Sequence, residues 1–346
     1  MKMIHLFAYV ILLLFVLTIG IPSLCAKAPT TPKILFTSAA WDGNYEIYSM
    51  NPDGSEQVNL TQHRANDVGA VWSPTGEKIA FVSDRGGNRV VTDRDLYLMD
   101  PDGSNVRRVF KKEASRHDPT WSPDGERIAY EYVDWGILTT TIQIAILGEQ
   151  EEEPIMKGFY PAWSPDGTGM AYTTYLEGIG HARRVTLIDL RTGKKKILLP
   201  KKAMDWQNQP SWSPAGDKLV FSWNKNPLPP DHNPLIDPFP PVWRNKETIY
   251  IANRDGTGLQ QLIEEAGPYA QYPALSPNGE ELLYTQAVNE HFQVFKLNIN
   301  SGVRTQLTHI GPRNLGGDWF DPDYALPVSP QPQLLTTTWG DMKKRK

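Results

Sequence analysis

The chain has 346 residues, 40% of them hydrophobic, which is enough for a substantial core and excludes collagen-like or wholly disordered structure. Its 35 basic and 39 acidic side chains leave a net charge of −4, which gives no electrostatic reason to bind nucleic acid. Cys25 is the only cysteine, so intrachain disulfides are excluded, and with the leader removed so are thiolate catalysis and cysteine-ligated metals.

The N-terminus places Lys2 before an apolar run from Leu6 to Ile21, followed by the small residues Ser23, Cys25, Ala26 and Ala28. That order predicts a signal peptide over residues 1–25 and a periplasmic or secreted protein. An uncleaved anchor is the alternative, although the run is a little short of the ~20 apolar residues that span a bilayer. Pro22, Ser23 and Leu24 make a poor lipoprotein box in front of Cys25.

Three strand-like runs come next, "KILFTS" 33–38, "YEIYSM" 45–50 and "QVNLT" 57–61. A tryptophan turn then recurs as "WSPTG" at 72, "WSPDG" at 121 and 163, "WSPAG" at 212 and "LSPNG" at 275, with a degenerate copy, "WFDPDY", at 319. This spacing is close to the period of four-stranded propeller blades. The copy beginning "AVWS" 70–73 shows the remaining strands as "KIAFVS" 78–83, "DLYLMD" 95–100 and "VRRVF" 106–110. Ser-Pro-Asp-Gly suits a type I turn between the first two strands, because proline presets φ at its second position and glycine accepts the fourth. Pro119, Pro161, Pro210 and Pro273 precede the turn by two residues, which is tolerated in an edge strand along a central channel. The N-terminal trio has no first strand, and "GDWF" 317–320 supplies it. The expected fold is therefore all-β, a six-bladed β-propeller of four-stranded antiparallel blades over residues 33–322, with the two ends of the chain sharing one blade and a tail over 323–346.

The repeated P-x-W-S-P-D-G-x-x-I-A-F/Y, followed by an I/L-Y strand and an L-T strand, resembles the propeller repeats of the TolB family over roughly residues 33 to 322. The resemblance implies a periplasmic protein whose propeller binds partners in the cell envelope. TolB proteins also carry a small α/β domain before the propeller. Here only residues 26–32 separate the leader from the first strand, so that domain is expected to be missing.

The turns between strands one and two and between three and four share one face, and they are short. The opposite face carries long, dissimilar loops and is the expected site. Positions three before each tryptophan equivalent should ring the channel mouth there: Gly69, Asp118, Tyr160, Gln209, Tyr272 and Gly316. With their loop neighbours, the candidate ligand-binding residues are Arg116, His117, Asp118, Trp135, Tyr160, Asp205, Trp206, Gln207, Gln209 and Tyr272. The insertion over 224–246 holds seven prolines together with Phe239 and Trp243, and is expected to drape over this face as a lid or rim.

His63, His117, His181, His232, His291 and His309 all fall in loops of this face, but no pair has a local ligand spacing, so no metal and no cofactor is expected. A Gly-x-Ser-x-Gly elbow and a phosphate-binding glycine loop are both absent. The reading is a non-catalytic, monomeric propeller that binds a protein, peptide or glycan of the cell envelope and no nucleic acid, with no membrane span after signal cleavage. The alternative is a propeller enzyme such as a metal-assisted polysaccharide lyase or glycoside hydrolase.

Overall fold

A computed structural model describes residues 27–39, 43–86, 94–175, 183–200, 206–227, 229, 238–265, 267–309 and 311–326. The signal peptide, Asp205, His181, His232, most of the C-terminal tail and part of the proline-rich insertion lie outside them. Among the described residues no helix is long and apolar enough to cross a membrane.

The architecture is an all-β propeller of four-stranded antiparallel blades. Four sheets stand alone. The first is built from Asp67–Trp72, Ile79–Ser83, Asp95–Met99 and Arg107–Arg108, and the second from Ser115–Trp121, Arg127–Asp134, Thr139–Ile146 and Glu152–Lys157. The third takes Phe159–Trp163, Gly169–Tyr175, Arg183–Asp189 and Lys195–Ile197, and the fourth Gln207–Trp212, Lys218–Trp223, Thr248–Asn253 and Gln260–Gln261.

The other eight strands share one sheet rather than forming two separate ones. One half contains Ala270–Leu275, Glu281–Val288, His291–Asn298 and Arg304–Gln306, and the other Arg313–Phe320, Lys33–Ala39, Tyr45–Met50 and Val58–Asn59. A single parallel bridge, Phe292 to Arg313, joins the halves. The second half contains the expected closure, because Lys33–Ala39 pairs antiparallel with Arg313–Phe320, Leu35 lying opposite Asp318.

Strand alternation sends apolar side chains to both faces of every sheet, and these faces meet in six buried clusters, each between two neighbouring four-stranded units. The tryptophans sit in these junctions. Trp121 Nε1 donates to the Val71 carbonyl at 3.3 Å, Trp212 Nε1 to the Ala162 carbonyl at 3.0 Å and Trp319 Nε1 to the Ala274 carbonyl at 3.4 Å, in each case the inner strand of the preceding unit. Large aromatic bodies with a satisfied N–H supply area and direction together. At the closing junction the buried Asp318 carboxylate oxygen accepts the Trp72 backbone N–H at 2.6 Å.

Candidate functional site: the channel mouth

All six inner strands break register at the same place. The shifts fall between Val68 and Val71, His117 and Thr120, Phe159 and Ala162, Asn208 and Ser211, Gln271 and Ala274, and where Arg313–Phe320 meets Leu35 and Thr37. Each break is a β-bulge that re-aims a side chain, and four of the six coincide with Pro119, Pro161, Pro210 and Pro273, which have no N–H to lose from the ladder. The six ring positions sit in these bulges with left-handed backbone: Gly69 at φ +62°, Asp118 at +46°, Tyr160 at +52°, Gln209 at +52°, Tyr272 at +56° and Gly316 at +68°. Glycine adopts that conformation freely, whereas most other L-residues are disfavoured by about 1–2 kcal/mol, Asn and Asp less than the rest. Two units use glycine; the other four hold Asp, Tyr, Gln and Tyr there against that cost.

Four of the bulged N–H groups are satisfied across the junctions. Gly69 donates to Thr37 Oγ1 at 3.2 Å, Gly316 to Thr285 Oγ1 at 2.9 Å, Tyr160 to Glu131 Oε1 at 2.6 Å and Tyr272 to Gln209 Oε1 at 3.0 Å. A cavity of about 340 Å³ lies at the ring, lined by Tyr45, Arg94, His117, Asp118, Tyr160 and Tyr272 together with Gly69 and Gly316, at each of which an added Cβ would meet nothing within 4 Å.

The cavity is electrostatically unusual. Asp118 and Glu131 lie near enough to act on each other's charge. Burial raises the pKa of Asp118, and burial followed by the neighbouring Asp118 raises Glu131 well above the carboxylate range. His117 is pushed down to about 4, by burial first and then by Arg94, so its imidazole is uncharged at neutral pH. Tyr272 is pushed up to about 12, chiefly by burial, and Tyr160 also rises well above its usual value.

The remaining candidates have other surroundings. Arg116 is fully buried and does not reach the channel: Nη1 donates to Asp95 Oδ1 at 2.7 Å, Nε and Nη2 to the two Glu152 oxygens at 2.7 Å, and the guanidinium lies 4.2 Å from the Phe110 ring centre. It ties the first separate sheet to the second. Gln207 is likewise fully buried, its side-chain oxygen accepting the Val185 N–H at 3.2 Å. Trp206 packs edge-on against Phe239 and Trp243 at 4.9 and 5.2 Å, with the Arg183 guanidinium 5.2 Å away, so it anchors the described part of the insertion. Trp243 stands on a one-turn helix, Pro241–Arg244, and its indole donates to the Asn226 carbonyl at 3.1 Å. Trp135 is half exposed and lines a separate groove with Arg108 and Glu113. Gln209 belongs to the ring through its backbone, and Ser222 Oγ also donates to its amide oxygen at 3.2 Å. Among the described residues no three His, Cys, Asp or Glu side chains are grouped as metal ligands.

Glu131 and Arg94 are the site residues that reading the loops missed. The signal for Glu131 was present in the repeat itself. In register it lies opposite His117, and the matching positions in the other units are Val82, Thr173, Ser222, Thr285 and Thr37. One carboxylate stands in a column of small or hydroxyl-bearing residues.

Comparison with known proteins agrees with the geometry. Residues 20–159 match the family model described as the TolB beta propeller domain. A stretch of 60 residues is 40% identical to a TolB homolog of Chlorobium luteolum, covering 17% of this chain and 14% of that protein. The fold is similar to TolB from Acinetobacter baumannii, with a TM-score of 0.67 and 17% identity over 83% of this chain and 66% of that one. A putative TolB from Agrobacterium tumefaciens superposes with a TM-score of 0.59 and 15% identity, over 85% of this chain and 99% of that one. The chain thus spans less than two thirds of the Chlorobium and Acinetobacter proteins.

Proposed function

From the premise that this chain is a TolB-like β-propeller, we propose that it is an exported, non-catalytic six-bladed ring that binds a protein of the cell envelope at the channel mouth on its long-loop face. The count of six takes each half of the eight-stranded sheet as one blade, and export rests on the leader over residues 1–25. The observation that carries the reading is the strained ring. Gly69 and Gly316 demonstrate that glycine satisfies the bulge, yet Asp118, Tyr160, Gln209 and Tyr272 occupy the same left-handed backbone. Strain retained where a cheaper residue fits is characteristic of binding sites. A partner protein is also the occupant in keeping with the TolB relatives.

The test is photo-crosslinking in the living cell, with a benzophenone amino acid at Tyr45 inside the cavity or at Asp124 in a tight turn of the opposite face. A discrete protein adduct from position 45, lost when Tyr160 and Tyr272 are both changed to glycine, is the expected result. Adducts from position 124 alone would overturn the assignment.

A further inference from the structure

If the channel mouth binds a partner protein, as proposed above, the unpaired groups on its wall identify the part that enters. Three other arginines are already engaged: Arg85 with the buried Asp67, Arg116 with Asp95 and Glu152, and Arg313 with the Tyr45 hydroxyl at 2.9 Å. Arg94 differs. It lines the cavity, yet its side chain makes no hydrogen bond or ion pair among the described residues, and its Nε is buried without a partner. A buried donor left unmatched costs about 1–3 kcal/mol, and more when it is charged. A ligand that brings the missing acceptor offsets that cost.

The neighbouring donors favour the same kind of ligand. Tyr160 and Tyr272 line the cavity, and neither hydroxyl has a hydrogen-bond partner among the described residues. Burial keeps both phenols protonated at neutral pH, Tyr272 being pushed up to about 12, so each O–H is a donor. His117 adds no charge, and its Nε2 is engaged with Ser115 Oγ at 3.0 Å. A guanidinium fork flanked by two phenolic O–H groups matches the two oxygens of a carboxylate.

Asp118 is the one acid among the described residues of the wall, and no ion pair joins it to Arg94. Burial raises its pKa, which weakens the charge it sets against an anion. Charged or neutral, it keeps an acceptor oxygen. A carboxylate for Arg94 and an N–H for Asp118, together inside about 340 Å³, are what the last residue of a polypeptide carries. A chain end also enters such a mouth head-on, whereas an internal acidic side chain brings two flanking segments with it.

We propose that the channel mouth takes the C-terminal residue of the partner protein, its carboxylate held by the Arg94 guanidinium and the Tyr160 and Tyr272 hydroxyls, its backbone N–H by Asp118.

The test is calorimetric titration of the purified full-length protein with a pool of N-acetylated hexapeptides ending in a free carboxylate, and with the same pool ending in a carboxamide. A third pool combines the carboxamide with a central glutamate. The free-acid pool should bind at least tenfold more tightly than either of the others. Arg94→Leu should abolish that preference without lowering the melting temperature, because the arginine is bonded to nothing within the protein. Tyr160→Phe combined with Tyr272→Phe, which keeps the rings and removes the hydroxyls, should reduce the preference several-fold. Asp118→Gly, which installs the residue of two other units, should abolish binding of all three pools. Equal binding of the acid and amide pools, binding of none, a preference that survives Arg94→Leu, or a glutamate pool that matches the free acid overturns the proposal. If crosslinking still depends on Tyr160 and Tyr272 while the acid and amide pools bind equally, only the C-terminal assignment falls. If that dependence is missing too, the binding reading falls with it.

Discussion

Asp118 is held in a left-handed conformation that glycine adopts more readily, and it buries a carboxyl group as well. Both features oppose folding. Asp118→Gly is therefore expected to raise the melting temperature while it removes binding, because relief of about 1 kcal/mol of backbone strain corresponds to roughly 1–2 °C in a chain of this size. Thermal denaturation followed by circular dichroism measures it, and a lower melting temperature would show that the aspartate supports the bulge instead of being imposed on it. Tyr160 and Tyr272 share the backbone but bury aromatic surface, so their replacement by glycine mixes strain relief with lost packing and is a poorer probe of either.

At the scale of strands and turns, the unit of construction is an inner hairpin, and in three units, at Trp121, Trp212 and Trp319, its tryptophan is bonded to the hairpin before it. Trp212→Phe keeps the aromatic body but removes the donor to the Ala162 carbonyl. It should cost about 1–2 kcal/mol, seen in urea as a lower midpoint at unchanged slope. A change in slope would mean that the tryptophan holds the blades' order, not only their energy. This level of structure was legible in the sequence because tryptophan, proline and the Asp-Gly turn mark the same point in each copy, and because the N-terminal trio lacked a partner that "GDWF" supplied. The bulge one turn earlier was not legible. It is a backbone conformation, and only Gly69 and Gly316 advertise it by composition. Side-chain direction counted along an inner strand is reset by the extra residue, so Arg116 and Gln207, adjacent in sequence to the ring, point into sheet junctions and serve as ties. Arg94 lies beside loop residues and gives no periodic signal. Glu131 would have emerged from comparing the repeats column by column, since a strand that reads Ile-Ala-Tyr-Glu stands apart from its copies.

For the molecule as a whole, integrity depends on the junction where the chain's two ends meet, and that junction contains an acid. Burial pushes the Asp318 carboxyl up to about 7. A folded-state pKa above the unfolded one means that the folded protein holds the proton more tightly. The stability this group contributes is thus complete below about pH 4 and is lost as pH rises through about 7. The protein should melt at a higher temperature at pH 5 than at pH 8, and Asp318→Asn, whose amide oxygen can still accept the Trp72 N–H, should shrink that difference. An unchanged difference would assign the pH dependence to other groups. Closure of the ring by Lys33–Ala39 against Arg313–Phe320 also imposes an order in time. The first strand to be synthesised gains its inner neighbour only when nearly the last has emerged, tens of seconds later at a synthesis rate of about 5–20 residues per second. Throughout that interval the nascent chain presents an open strand edge to its surroundings, which makes the unfinished chain, rather than the closed ring, the form most in need of a chaperone.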